Sequence, residues 1–130
     1  MVVVPQLAKS WEVVSPTEWV FHLREGVKWH DGKPFTSADV QFTIMNVLSK
    51  VHPRGPNSFS EVESIDTPDA HTVVLNLKNP APYMLRALSA YESPMVPKHH
   101  LEGKDIKSAE LSNKPVGTGP FKFVEWKKCQ

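Results

Sequence analysis

The sequence predicts an α+β fold: β-hairpins forming a small mixed, mainly antiparallel sheet, packed with two to three helices. Three observations predict it. Two stretches alternate apolar and polar residues on either side of turn residues. One longer stretch repeats its apolar residues at helical spacing behind a capping signal. Strands and helices also lack the regular βαβ alternation of a doubly wound sheet. The 130 residues read as one domain, 1–130, with no linker and no internal repeat.

"SWEVVSPTEWVFHLR" is the first hairpin. Trp19, Phe21 and Leu23 alternate with Val20, His22 and Arg24, and Ser15-Pro16-Thr17 turns the chain back toward the strand from Trp11 to Val14. "VKWHDGKPFTSADVQF" follows, with Asp31-Gly32 as a turn dipeptide. Thr36 and Asp39 have the spacing of a capping box, with Phe35 and Val40 set to staple it. From Ser37 to Lys50 the residues Val40, Ile44, Val47, Leu48 and Val51 recur at helical spacing. "HPRGPNSFS" then reads as a loop. "VESIDTPDAHTVVLNL" is the second hairpin, with Pro68-Asp69-Ala70 at its tip. Asn79 and Pro80 suit the start of a further helix, and Pro97 to Gly103 a shorter one. Lys104 to Lys114 is polar and reads as irregular. "VGTGPFKFVEW" predicts a glycine turn into a last strand burying Phe121, Phe123 and either Val124 or Trp126.

Composition excludes several function classes. Lys and Arg total 15 against 14 for Asp and Glu, so the net charge of +1 gives no bulk attraction for nucleic acid or acidic lipid. Trp11, Trp19, Trp29 and Trp126 have no basic groove around them, so most of them are expected in the core rather than under bases. No apolar run is long enough to cross a membrane. "MVVVPQLAKS" does not read as a secretory leader, because it lacks a basic start and Pro5 interrupts its apolar run. The 12 prolines punctuate short elements. Cys129 has no second cysteine to pair with.

No catalytic constellation emerges. His30-Asp31 resembles an oriented base, yet no nucleophile context accompanies it, and neighbours in a turn seldom aim at one substrate. It reads as a structural turn, with Asp31 bonding local amides. The six histidines show no metal-ligand spacing. His99 and His100 are adjacent, which on a helix points them about 100° apart. No metal and no cofactor are therefore expected. "GTGPF" lacks the third glycine of a dinucleotide fingerprint, and Pro120 removes an amide that would bind phosphate. The exposed loops carry the binding candidates: Arg54, Asn57 and Phe59 after the long helix, and Tyr91 after the next one.

Taken in order, these motifs resemble a family. "LAKSWEVVSPTEWVFHLREGVKWHDGKPFTSADV", Leu7 to Val40, is similar to the peptide- and nickel-type solute-binding proteins of ABC importers, family 5 of the extracellular solute-binding proteins. The matching residues are Leu7-Ala8 with Trp11, Phe21 to Arg24, Gly26 to Gly32, and Thr36 to Val40. "PVGTGPFKFVEW", Pro115 to Trp126, resembles a second block of that family. The likeness covers roughly Gln6 to Lys128. Two departures stand out: Pro16-Thr17 where the family has Asp-Gly, and Cys129 where glycine is common.

The resemblance implies a fold and a role. Such proteins are several times longer and close two lobes around a ligand, in the type II periplasmic binding protein manner. This chain then corresponds to the smaller subdomain of the first lobe, and its start at Met1 without a leader fits a shortened chain. Trp11, Phe21, Arg24, His30, Asp31, Gly32, Thr36, Asp39, Gly117 and Gly119 become fold determinants. The implied partners are a di- or oligopeptide and ABC permease subunits, in a periplasmic or extracellular setting with or without a lipid anchor. Relatives reach ligand from loops near Arg54 to Phe59 and near Tyr91. Nickel-chelate binders use arginines there; Arg54 alone is available, with Tyr91 near the second position, which favours a peptide. The alternatives are a purely structural subdomain, or another small solute. An exposed apolar face, and with it self-association of the chain, is also expected.

Overall fold

The computed structural model describes residues 2–108 and 113–127. Cys129 lies outside them, as do residues 109–112 of the polar run. The frame is one antiparallel sheet of four strands, β1 (Ala8–Ser15), β2 (Glu18–Leu23), β3 (Val62–Asp69) and β4 (Thr72–Leu77), in the order β1-β2-β4-β3. All of its pairings are antiparallel.

Both hairpins form because turn residues interrupt runs of period-two alternation. β2 buries Trp19, Phe21 and Leu23, while β4 buries Val73, Leu75 and Leu77. Register aligns these sets, with Trp19 opposite Leu75 and Phe21 opposite Val73. A slip of one residue by either strand would turn its own three core residues to the opposite face, so burial fixes the pairing. At the second tip the chain reverses at Ala70-His71, slightly beyond the expected position. There Asp69 accepts from the His71 amide at 2.8 Å and the Thr72 hydroxyl at 3.0 Å. Those bonds hold its carboxyl below the usual range. Trp11 is half-buried opposite Phe21 on β1. Arg24 ties the strand end to the N-terminal segment, its amide donating to Leu7 O at 2.8 Å and its Nε to Gln6 O.

Helix α1 (Ser37–Phe42) covers the sheet, packing on β3 and β4. Its start is the expected capping box: the Asp39 carboxylate accepts from the Thr36 amide at 3.0 Å. The helix does not stay α-helical to Lys50. From Thr43 to Leu48 it is a π-helix, with the Ser49 amide bonding Ile44 O at 3.0 Å. The Ser49 hydroxyl shares that carbonyl at 2.6 Å, which stabilises the wider turn.

Four further expectations are corrected. "HPRGPNSFS" is not wholly irregular, since Gly55–Ser58 forms a short helix, α2, with Pro at its start. The next helix, α3, spans only Met84–Ala87, with Tyr83 at the N-cap position and no side-chain capping bond, and the Asn79 side chain instead donates to Glu61 at 2.9 Å. Helix α4 (Lys98–Leu101) begins after Pro97 as expected, and a 3-10 turn at Ile106–Ser108 breaks the irregular run. The last correction concerns Val116 to Trp126, which forms no strand. Alternation is present, but no strand of the sheet runs beside it. Phe121, Val124 and Trp126 are exposed at 87, 86 and 65% instead of buried, and Phe123 is half-buried. Other exposed apolar side chains are Val2 to Val4 and, on the edge strand β1, Val13 and Val14.

Candidate functional site

Two clusters concentrate chemistry. The first is built on the His30-Asp31 turn. Gly32 supplies the turn with a φ of +89°, which side-chain-bearing residues rarely adopt. The Asp31 Oδ1 accepts from the Lys33 amide at 3.1 Å, a local bond that the sequence predicts. His30 reaches much further. Its Nδ1 accepts from the Gly117 amide at 3.1 Å, so Nε2 carries the proton and donates to Gly119 O at 2.7 Å. The His30 amide also donates to Gly117 O at 2.9 Å. One imidazole thus joins the two sequence blocks that carry the family resemblance.

Asp31 does not pair with His30. Its Oδ2 meets Nε2 of His99 at 2.6 Å and Nε2 of His100 at 2.7 Å. This corrects the expected divergence of the two rings. At the short helix α4 they tilt together, with centroids 4.6 Å apart. Buried Asp39 sets up the meeting. Its Oδ2 accepts from Trp29 Nε1 at 3.1 Å, just before the turn, and its Oδ1 accepts from the Lys98 amide at 2.9 Å, just before the histidines. Thr43 adds a second clamp through its hydroxyl and the Val96 amide at 3.1 Å.

Desolvation pushes the Asp31 carboxyl up, but the hydrogen bonds from His99, His100 and the Lys33 amide outweigh it and hold it well below the usual carboxylate range. Folded Asp31 therefore binds protons less readily than unfolded Asp31. Its stabilisation is complete above the unfolded value and fades as pH falls through the folded one. Asp31→Asn should be less stable than the unsubstituted chain at neutral pH. The gap should start to close below about pH 4. Urea midpoints across pH check this; a gap that ignores pH would assign the loss to something other than the carboxylate.

The second cluster gathers the loop candidates. Arg54 Nη1 bonds Glu92 Oε1 at 2.8 Å, and its guanidinium lies 6.0 Å from the centre of the Tyr91 ring. Tyr91 is 80% exposed. Asn57 is exposed on α2 nearby in sequence, with its carbonyl accepting from the Ser60 hydroxyl at 3.0 Å. Phe59 separates from this group, because it is buried in the main core. Glu92 was not legible as a member: its contact with Arg54 spans 38 positions. None of these residues lines the groove of about 730 Å³ between α1 and α4. Arg54, Asn57 and Tyr91 are exposed polar side chains.

The profile of "Bacterial extracellular solute-binding proteins, family 5 Middle" matches residues 2–130. A putative ABC transporter peptide-binding protein of Brucella ovis is 39% identical over 130 residues, covering 95% of this chain and 24% of its own length. The Bacillus subtilis oligopeptide-binding protein AppA, solved in complex with a nonapeptide, superposes with a TM-score of 0.84 at 33% identity, covering 96% of this chain and 26% of that one. NikZ of Campylobacter jejuni, solved in complex with Ni(L-His), gives a TM-score of 0.82 at 35% identity, covering 95% and 25%. This chain therefore spans about a quarter of the length of those relatives, and it belongs to the family 5 bacterial extracellular solute-binding proteins.

Proposed function

We propose that the chain is one wall of the solute-binding component of an ABC importer, the smaller subdomain of its first lobe, and that the whole protein captures di- or oligopeptides outside the cytoplasmic membrane. The observation that carries this reading is the exposed Arg54 and Tyr91, with half-buried Glu92 bonded to Arg54, on a piece a quarter the length of its relatives. A guanidinium and a phenol donate to peptide carbonyl or carboxylate oxygens, and a carboxylate accepts from peptide amines. Such groups on an open surface need an opposing wall to exclude water. Peptide is favoured by the Brucella ovis and Bacillus subtilis relatives, whose names state peptide binding. Delivery to the permease would follow hinge closure, driven by contacts from both lobes. The family is one of solute-binding proteins rather than enzymes, and no catalytic step is assigned.

A second reading has its own support. Arg54 and Glu92 already satisfy one another, as groups with a purely structural role would. One experiment separates the two. In the full-length protein, Arg54→Ala and Tyr91→Ala should each weaken peptide binding about tenfold, or roughly 1.4 kcal/mol. Calorimetry on the 130-residue chain alone should show no submicromolar peptide binding. Unchanged affinity in both variants would leave the subdomain structural. Tight binding by the isolated chain would overturn the one-wall reading.

A further inference from the structure

The Asp31, His99 and His100 cluster shares no residue with the Arg54, Tyr91 and Glu92 group and plays no part in the proposed solute reading. Three potential ligand atoms, one carboxylate oxygen and two imidazole nitrogens, lie within 4.8 Å of one another. We propose that this cluster is a binding site for a divalent transition-metal ion of the zinc or nickel kind, held by Asp31 Oδ2, His99 Nε2 and His100 Nε2.

The donor set selects the ion. Two imidazoles and one carboxylate suit zinc, nickel or copper, whereas calcium and magnesium require mostly oxygen. Three protein ligands leave at least one position for water or a small external ligand. The distances fit with little movement. Two atoms about 2.1 Å from a tetrahedral ion stand about 3.4 Å apart. The contacts of 2.6 and 2.7 Å between Oδ2 and the two nitrogens need only to open by part of an ångström. Without metal, both nitrogens meet the same oxygen and share it as donors. On binding, each neutral ring moves its proton to Nδ1 and turns its Nε2 lone pair to the ion, so the ion takes the place of two hydrogens.

Supporting residues hold the ligands before any ion arrives. The Lys33 amide fixes Asp31 through the other carboxylate oxygen, leaving Oδ2 for the metal. Asp39 grips both sides at once, through Trp29 beside the turn and Lys98 beside the histidines. The side chains of His99 and Asp31 are each 25% exposed and that of His100 36%, so an ion has access from solvent. Adjacent histidines do not usually chelate together. Here a four-residue helix meeting a turn removes that obstacle.

The test is isothermal titration calorimetry with zinc and then nickel chloride on the full chain carrying Cys129→Ser, so that the thiol does not contribute. Calcium chloride is the control. The expected result is one equivalent of zinc or nickel, no calcium, and affinity at least tenfold weaker in His99→Ala and in His100→Ala, with His71→Ala unchanged. Cobalt absorption in the visible range gives a second readout, which should lose intensity in the same two variants. His100→Gln, which keeps a polar side chain of similar reach, covers the case in which an alanine variant fails to fold. Saturable binding that survives in both histidine variants would overturn the proposal, as would no saturable binding by either metal. The cluster would then be a hydrogen-bonded clamp alone.

Discussion

Asp39→Ala is expected to destabilise the chain by about 3 kcal/mol, because each buried donor left without its acceptor costs about 1–3 kcal/mol. Asp39 is 4% exposed and its carboxylate accepts three bonds: from the Thr36 amide, Trp29 Nε1 and the Lys98 amide. Alanine orphans all three. The low end of the sum is the sensible expectation, since neighbouring groups relax and water enters the space. For a domain of this size the corresponding fall in Tm is about 10 °C. Asp39→Asn should lose roughly half as much, because an amide keeps one oxygen but points hydrogens at a donor. Urea unfolding measures both. A loss under about 1 kcal/mol in the alanine variant would mean that these bonds do not organise the fold.

Gly55→Ala should be nearly as damaging for a steric reason. A Cβ added at Gly55 would sit 1.7 Å from the Leu48 carbonyl oxygen and 2.5 Å from its carbon. Both are backbone atoms at the end of the π segment, so neither rotates away. Forcing a methyl into such a contact costs about 1–3 kcal/mol. Here the upper end applies, because the obstacle is a carbonyl fixed in a helix. The strain also moves α2, which carries Asn57 and follows Arg54. Full-length protein with this substitution should therefore lose peptide affinity as well as stability. Retained stability would show that α2 can lift off the helix at little cost.

Legibility in the sequence followed the range of the interaction. The hairpins and the capping box depend on residues within a few positions, and period-two alternation and the Thr36 to Asp39 spacing revealed both. The π segment was hidden because Val47, Leu48 and Val51 suit either helical period. Phe59 looked like a loop aromatic, yet it is core, since α2 turns it inward. Val116 to Trp126 had the alternation of a strand without a neighbour to pair with. The meeting of Asp31 with His99 and His100 spans 68 and 69 positions, so no local pattern announces it. Of the binding candidates, Arg54 and Tyr91 do approach each other, while Glu92 entered only through geometry.

The imidazole of His30 bears on the order in which the molecule assembles. Its bonds to Gly117 and Gly119 close loops of 87 and 89 residues, whereas each hairpin closes over two. Closure entropy grows with the logarithm of loop length, so the long connections form only on a frame that already holds their ends together. During synthesis the His30 turn leaves the ribosome nearly ninety residues before its acceptor at Gly119 exists. Sheet and capped helix must therefore hold together without it. His30 is the latch that closes last.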